Sequence, residues 1–102
     1  MFHSAFQTKL PEVIRLLKKH RVKRAYVFGS VARENFHDRS DVDLLISFDE
    51  NMDALEYGDH YFALYESLQK LLNRNVDLVT ESSLKNPYLI ESIKETRIPL
   101  YE

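Results

Sequence analysis

The stretch FGSVARENFHDRSDVDLLISF, Phe28 to Phe48, decides the reading of this chain. It places the pair Gly29-Ser30 after one apolar run. Ten residues later it opens a second apolar run with Asp41-Val42-Asp43. Side chains alternate along a strand, so Asp41 and Asp43 share one face, about 6.6 Å apart along the chain. Val42, Leu44 and Ile46 then face the other way, into a core. Two carboxylates held so close in a part-buried setting repel each other and rise in pKa unless a cation lies between them. Hard cations such as Mg²⁺ take oxygen ligands, commonly one or two carboxylates plus substrate phosphates.

The segments around this stretch alternate helix and strand. TKLPEVIRLLKKHRV sets Leu10, Val13, Ile14 and Leu17 on one helical face, with Thr8 or its neighbours as cap and Pro11 in the first turn. KRAYVFG reads as a strand ending at a glycine, SVAREN as a short helix or turn, and FHDRS as a loop. DVDLLISF is the second strand. A long helix runs from about Asp53 to Asn73, with Leu55, Phe62, Tyr65, Leu68, Leu71 and Leu72 on its buried side. RNVDLVT is a third strand, and PYLIESIKET a last helix anchored by Leu89, Ile90 and Ile93. RIPLYE suits an edge strand, because Pro99 cannot donate to a ladder. Such alternation predicts an α/β architecture: one domain over residues 1–102, with a small mixed sheet of three to four strands flanked by helices.

Composition narrows the function. The chain has 102 residues, 14 basic and 16 acidic, for a net charge of −2, which argues against an electrostatic footprint for long nucleic acid. Cysteine is absent, so disulfide and thiolate chemistry are excluded and a reducing cytosol is compatible. No leader pattern or membrane-length apolar run is visible. A cytoplasmic protein is expected.

A third carboxylate, Asp77, lies in NVDLVT between Val76 and Leu78. If its strand neighbours the second one, Asp77 joins the pair, and three carboxylates from adjacent strands make a two-metal site for in-line displacement. Gly29 permits a tight turn and close backbone approach. Ser30 opens a helix whose N-terminus favours phosphate, and Arg33, one turn on, reaches the same anion or an acidic neighbour. Taken singly, each feature reads as a turn, a solvated edge or a surface ion pair. The conjunction is what points to phosphate chemistry.

GSVARENFHDRSDVD resembles the signature of the DNA polymerase β-like nucleotidyltransferase superfamily: Gly-Ser, ten residues, Asp-x-Asp. More narrowly, the chain is similar to the minimal nucleotidyltransferases, the MNT or MntA-type antitoxins paired with HEPN proteins. The resemblance runs from the first helix through Asp77. It implies the polymerase β-like fold, with Asp41, Asp43 and Asp77 as catalytic and metal-binding residues. It also implies that Gly29 and Ser30 contact the nucleotide, and Arg33 falls where such sequences often carry an arginine. Glu34-Asn35 follow, where relatives often have Gly-Glu. The implied reaction is attack of an acceptor hydroxyl on the α-phosphate of MgATP, with two Mg²⁺ ions or Mn²⁺. The implied acceptor is a HEPN toxin, bound as a hetero-oligomer and silenced by AMP transfer. The alternative is a non-catalytic nucleotide-binding or stoichiometric module that neutralises its partner by contact.

Other residues are less pointed. Tyr57, Tyr61 and Tyr65 form one helix stripe, either partial core packing or a docking surface. His3, His20, His37 and His60 show no metal-ligand spacing, although His37 lies in the motif loop. The basic cluster Lys18 to Arg24 suits a helix C-terminus. Asp49, Glu50 and Asp53 suit a turn and a helix cap.

Overall fold

A computed structural model describes residues 4–29 and 41–102. The order is α1 (Ser4–Lys19), β1 (Val22–Phe28), β2 (Val42–Phe48), α2 (Ala54–Leu72), β3 (Val76–Thr80), a 3₁₀ turn (Glu81–Ser83), α3 (Pro87–Thr96) and β4 (Ile98–Tyr101). The expected short helix at SVAREN and the motif loop lie outside the described residues.

The strands form one mixed sheet in the order β3-β2-β1-β4. β1 is antiparallel to both β2 and β4, while β2 and β3 are parallel, joined through α2. A parallel pair needs such a crossover, because a hairpin cannot reverse the chain twice. β4 takes the edge, where Pro99 removes no ladder bond from a central strand.

Alternation along the strands divides the sheet into two unlike faces. Val22, Ala25 and Val27 of β1, Val42, Leu44, Ile46 and Phe48 of β2, and Val76 and Leu78 of β3 bury against Phe6, Val13 and Leu17 of α1 and Leu64, Leu68 and Leu72 of α2. The other face carries a smaller cluster of Tyr26, Leu45 and Ile93, with Phe28, Val79 and Leu84 packed beside it. β2 is apolar on nearly every position because both faces are covered.

α2 is bounded by its own chemistry. The Asp53 carboxylate accepts from the Glu56 N–H at 2.9 Å, and Asn73 closes the helix in the left-handed conformation, φ 52°. Its buried stripe departs from the expected one. Leu64, Leu68 and Leu72 face the sheet, while Leu55 and Phe62 are 75% and 66% exposed. The tyrosines hold the helix in this rotation. The Tyr61 O–H donates to the Leu78 carbonyl at 2.5 Å, Tyr57 packs edge-on against Phe48, and the Gln69 amide donates to the Tyr65 hydroxyl. The tyrosine stripe is therefore partial core packing, with the Tyr61 and Tyr65 hydroxyls hydrogen-bonded. In α3, Ile93 alone is buried; Leu89, expected as an anchor, is 46% exposed.

α1 also begins a turn earlier than Thr8, which buries Phe6 and leaves Pro11 inside the helix, with no N–H to offer the Gln7 carbonyl. Lys18 and Lys19 lie in its last turn, as the helix dipole favours. The rest of the basic cluster forms ion pairs: Arg21 with Asp49 and Glu56, Lys23 with Glu50, and Arg24 with Glu81. No described helix is long and apolar enough to cross a membrane.

Candidate active site

The parallel register pairs Asp43 directly with Asp77, and the antiparallel register pairs Phe28 with Asp43. Phe28, Asp43 and Asp77 thus form one row across three strands, on the face away from α1 and α2. The next row inward is Tyr26, Leu45 and Val79. The carboxylates stand at the rim of the smaller core. Asp43 is half-buried and Asp77 exposed; Asp41 is exposed, just ahead of β2.

Gly29 follows β1 with φ +70°, a conformation that favours glycine. A Cβ there would fall on the Asp43 carboxylate oxygen Oδ2. The backbone of the Gly29 turn therefore lies against the acid, and only glycine supplies both the dihedral and the space. Ser30, Arg33 and His37 lie outside the described residues.

The electrostatics follow from this placement. Burial, then the neighbouring Asp77 and Asp41 carboxylates, push the Asp43 pKa from 3.8 up to about 6. Negative potential also reaches across the sheet: burial raises the Tyr61 phenol, and Asp77 adds to it. Among the described residues this end of the fold gathers hard carboxylate oxygen donors, and that suits a divalent cation of the Mg²⁺ type. Among the described residues no three His, Cys, Asp or Glu side chains gather closely enough to hold a metal ion. The protein's part of such a site is accordingly the Asp43–Asp77 pair with Asp41 within electrostatic reach.

Beyond the second row a cavity of about 450 Å³ opens between the sheet and α3, lined by Tyr26, Leu45, Ile93, Arg24, Glu81 and Arg97 among others. The Arg24 guanidinium donates twice to Glu81 through Nε and Nη2, Arg97 lies 4.3 Å over the Tyr26 ring, and the Tyr26 O–H donates to Glu102 at 2.9 Å. Sequence reasoning passed over this wall of the carboxylate-bearing face. The signal was present: Tyr26 and Phe28 alternate within β1 as Asp43 and Leu45 do within β2.

A mixed sheet with helices against one face and paired carboxylates at the strand ends of the other defines the nucleotidyltransferase class. The chain belongs to the polymerase beta nucleotidyltransferase family, whose model matches residues 11–102. A Methanocaldococcus jannaschii protein, provisionally named a protein adenylyltransferase, is 38% identical over 97 residues, covering 87% of this chain and 95% of that one. A solved structure provisionally described as a minimal nucleotidyltransferase is 34% identical with a TM-score of 0.72, covering 97% of this chain and 96% of that one. The fold is also that of a chain in a complex described as a tri-AMPylated Shewanella oneidensis HEPN toxin with MNT antitoxin. That match has a TM-score of 0.66 and 22% identity over 93% of this chain and 71% of the other.

Proposed function

We propose that this chain is a cytoplasmic Mg²⁺-dependent adenylyltransferase that transfers AMP from ATP to a hydroxyl of a HEPN-family toxin, as the antitoxin of the pair. The observation that carries the reading is the in-register pairing of Asp43 with Asp77, with the Gly29 turn packed against Asp43. The adenylyltransferase name of the M. jannaschii relative and the AMPylated toxin in the Shewanella complex support the nucleotide and the partner.

In this reading the Gly29 turn, continued by Ser30 and Arg33, receives the β- and γ-phosphates, since a glycine turn lets backbone N–H groups approach an anion. Asp41, Asp43 and Asp77 are the metal ligands. Bound Mg²⁺ supplies charge neutralisation at the transferred phosphoryl group. Asp77, exposed at the rim, takes the proton of the acceptor hydroxyl. The hydroxyl oxygen bonds to the α-phosphorus, the bond to the bridging oxygen breaks, and pyrophosphate leaves with its electron pair. The rest of catalysis is positioning and charge stabilisation.

The test is transfer of label. The chain is incubated with its HEPN partner, Mg²⁺ and ATP labelled at the α-phosphate. Label on the partner that is lost in Asp43→Asn and Asp77→Asn supports the reading. A stable complex that silences the toxin without acquiring label overturns it in favour of neutralisation by contact.

A further inference from the structure

α2 turns one side to the larger core, and its flanks are taken as well. Leu64, Leu68 and Leu72 face the sheet. His60 meets His20, just past the end of α1, with 3.0 Å between the Nδ1 atoms, and Glu56 accepts from Arg21. Tyr61 and Tyr65 are hydrogen-bonded through their hydroxyls. The outward side is different. Leu55 and Phe62 stand exposed on it, two turns apart, about 10.5 Å along the helix axis. The Phe62 ring is set edge-on against Tyr61, with centroids 5.5 Å apart. Gly58 lies one turn from each of the two exposed side chains.

Glycine weakens a helix interior relative to alanine, and this one has neither a positive φ nor a crowded neighbour to require it. A Cβ at Gly58 would meet nothing within 4 Å. Packing within the chain therefore gives no reason for glycine here. Its effect is outward: between Leu55 and Phe62 it leaves a notch, the kind of hole that receives a knob from a facing element. The charges beside the notch have one sign. Asp59 and Glu66 are exposed on the same side of α2, and among the described residues no cation pairs with either. Lys70 stands a turn beyond Glu66, past the end of the seam.

A second copy of the chain does not suit this surface. An antiparallel pairing that sets Leu55 of one copy on Phe62 of the other brings the two Asp59 carboxylates together at the two-fold axis. A pairing centred on Phe62 sets Asp59 beside Glu66 instead. Either register opposes like charges, which a complementary interface avoids. We infer that the Leu55–Gly58–Phe62 seam, bordered by Asp59 and Glu66, docks a protein partner that seats a large apolar side chain at Gly58 and flanks it with lysine or arginine. The inference rests on the AMP-transfer reading in one respect, since the partner it takes is the HEPN toxin. α2 covers the face opposite the carboxylates, so contact here leaves the acidic row open, and docking is separable from the chemistry.

The experiment titrates purified HEPN partner into chain carrying Asp43→Asn and Asp77→Asn, by isothermal titration calorimetry, so that AMP transfer does not alter the partner during the measurement. Adding Leu55→Ser with Phe62→Ser raises Kd about 30-fold or more, the loss expected for a pair of apolar anchors. Adding Asp59→Lys with Glu66→Lys raises it about tenfold or more by setting like charges against the partner. Gly58→Ala separates docking from folding. It raises the Tm of the free chain by about 2–8 °C, yet raises Kd about tenfold because the added methyl overpacks the notch. Unchanged Kd in the serine and lysine variants overturns the inference, while label transfer by the chain with both aspartates intact keeps the AMP-transfer reading standing. Absence of any complex with the parent chain overturns both. A dimer of the free chain in analytical ultracentrifugation that Leu55→Ser with Phe62→Ser abolishes overturns it in favour of a second copy.

Discussion

Asp43→Asn should make the metal-free protein more stable, although it removes a residue of the proposed active site. Asp43 is held at a pKa of about 6 instead of 3.8 by burial and by the carboxylates of Asp77 and Asp41. At full weight that difference is about 3 kcal/mol against the folded state at neutral pH. Solvent reaches the half-buried carboxyl and screens its neighbours, which reduces the effect to about 1–2 kcal/mol. The sign follows from which state holds the proton. The folded chain binds it more tightly, so stability is highest below about pH 3.8 and falls as pH rises through 6. Asparagine carries no such penalty. In EDTA at pH 7.5 the variant should melt roughly 4–10 °C above the native chain. The gap should close as pH is lowered to 4. With Mg²⁺ and ATP the order should reverse, because ligand raises the native midpoint and leaves the variant's unchanged. Differential scanning calorimetry at the two pH values, with and without MgATP, measures all of this. A variant that melts below the native chain in EDTA at pH 7.5, or a gap indifferent to pH, would refute the assignment of strain to the carboxylate pair.

Gly29→Ala should reduce AMP transfer about 100-fold or more, read by label on the partner, because its Cβ displaces the Asp43 carboxylate. The positive φ adds about 1–2 kcal/mol of destabilisation, visible in urea unfolding. Leu68→Ala should cost about 2–5 kcal/mol by the same measurement, since Leu68 is fully buried between α2 and the sheet. Leu55→Ser with Phe62→Ser should change stability by no more than about 0.5 kcal/mol, because both side chains are exposed. Asn86→Ala should cost about 1 kcal/mol and speed hydrogen exchange at the start of α3, where the Asn86 side chain accepts from the Tyr88 and Leu89 N–H groups.

Much of the architecture was legible because strand alternation and helix caps are local. The strands themselves, the cap at Asp53 and the edge strand at Pro99 each follow from a few adjacent residues, whereas the pairing that brings Asp77 beside Asp43, which the sequence leaves as a condition, is settled by the α2 crossover. The rotation of α2 was not local. A helix with apolar or aromatic residues on most of its surface offers several buried stripes. The choice fell to Tyr61, whose hydroxyl reaches a carbonyl on β3 17 residues away. Leu55 and Phe62 were displaced outward as a result. The start of α1 was misplaced because Pro11 suits a first turn in general, yet burial of Phe6 draws the helix one turn further back. The His20–His60 contact was invisible for a related reason: it depends on how two helices cross, which no spacing encodes.

The two faces of β2 show why the fold tolerates its own acidic row. Val42, Leu44, Ile46 and Phe48 alternate into the larger core and, with the leucines of α2, supply contacts worth about 2–5 kcal/mol for each large side chain. The intervening positions are released from that task, and Asp43 occupies the first of them at a penalty of about 1–2 kcal/mol. One well-packed leucine offsets it. The strain then has a use. In the proposed reaction a cation arriving with nucleotide phosphates would remove the repulsion between Asp43 and Asp77, so energy withheld from folding would reappear as preference for the loaded site. A pair of neutral residues in the same register would stabilise the empty protein and forfeit that coupling, which is the contrast the Asp43→Asn calorimetry resolves.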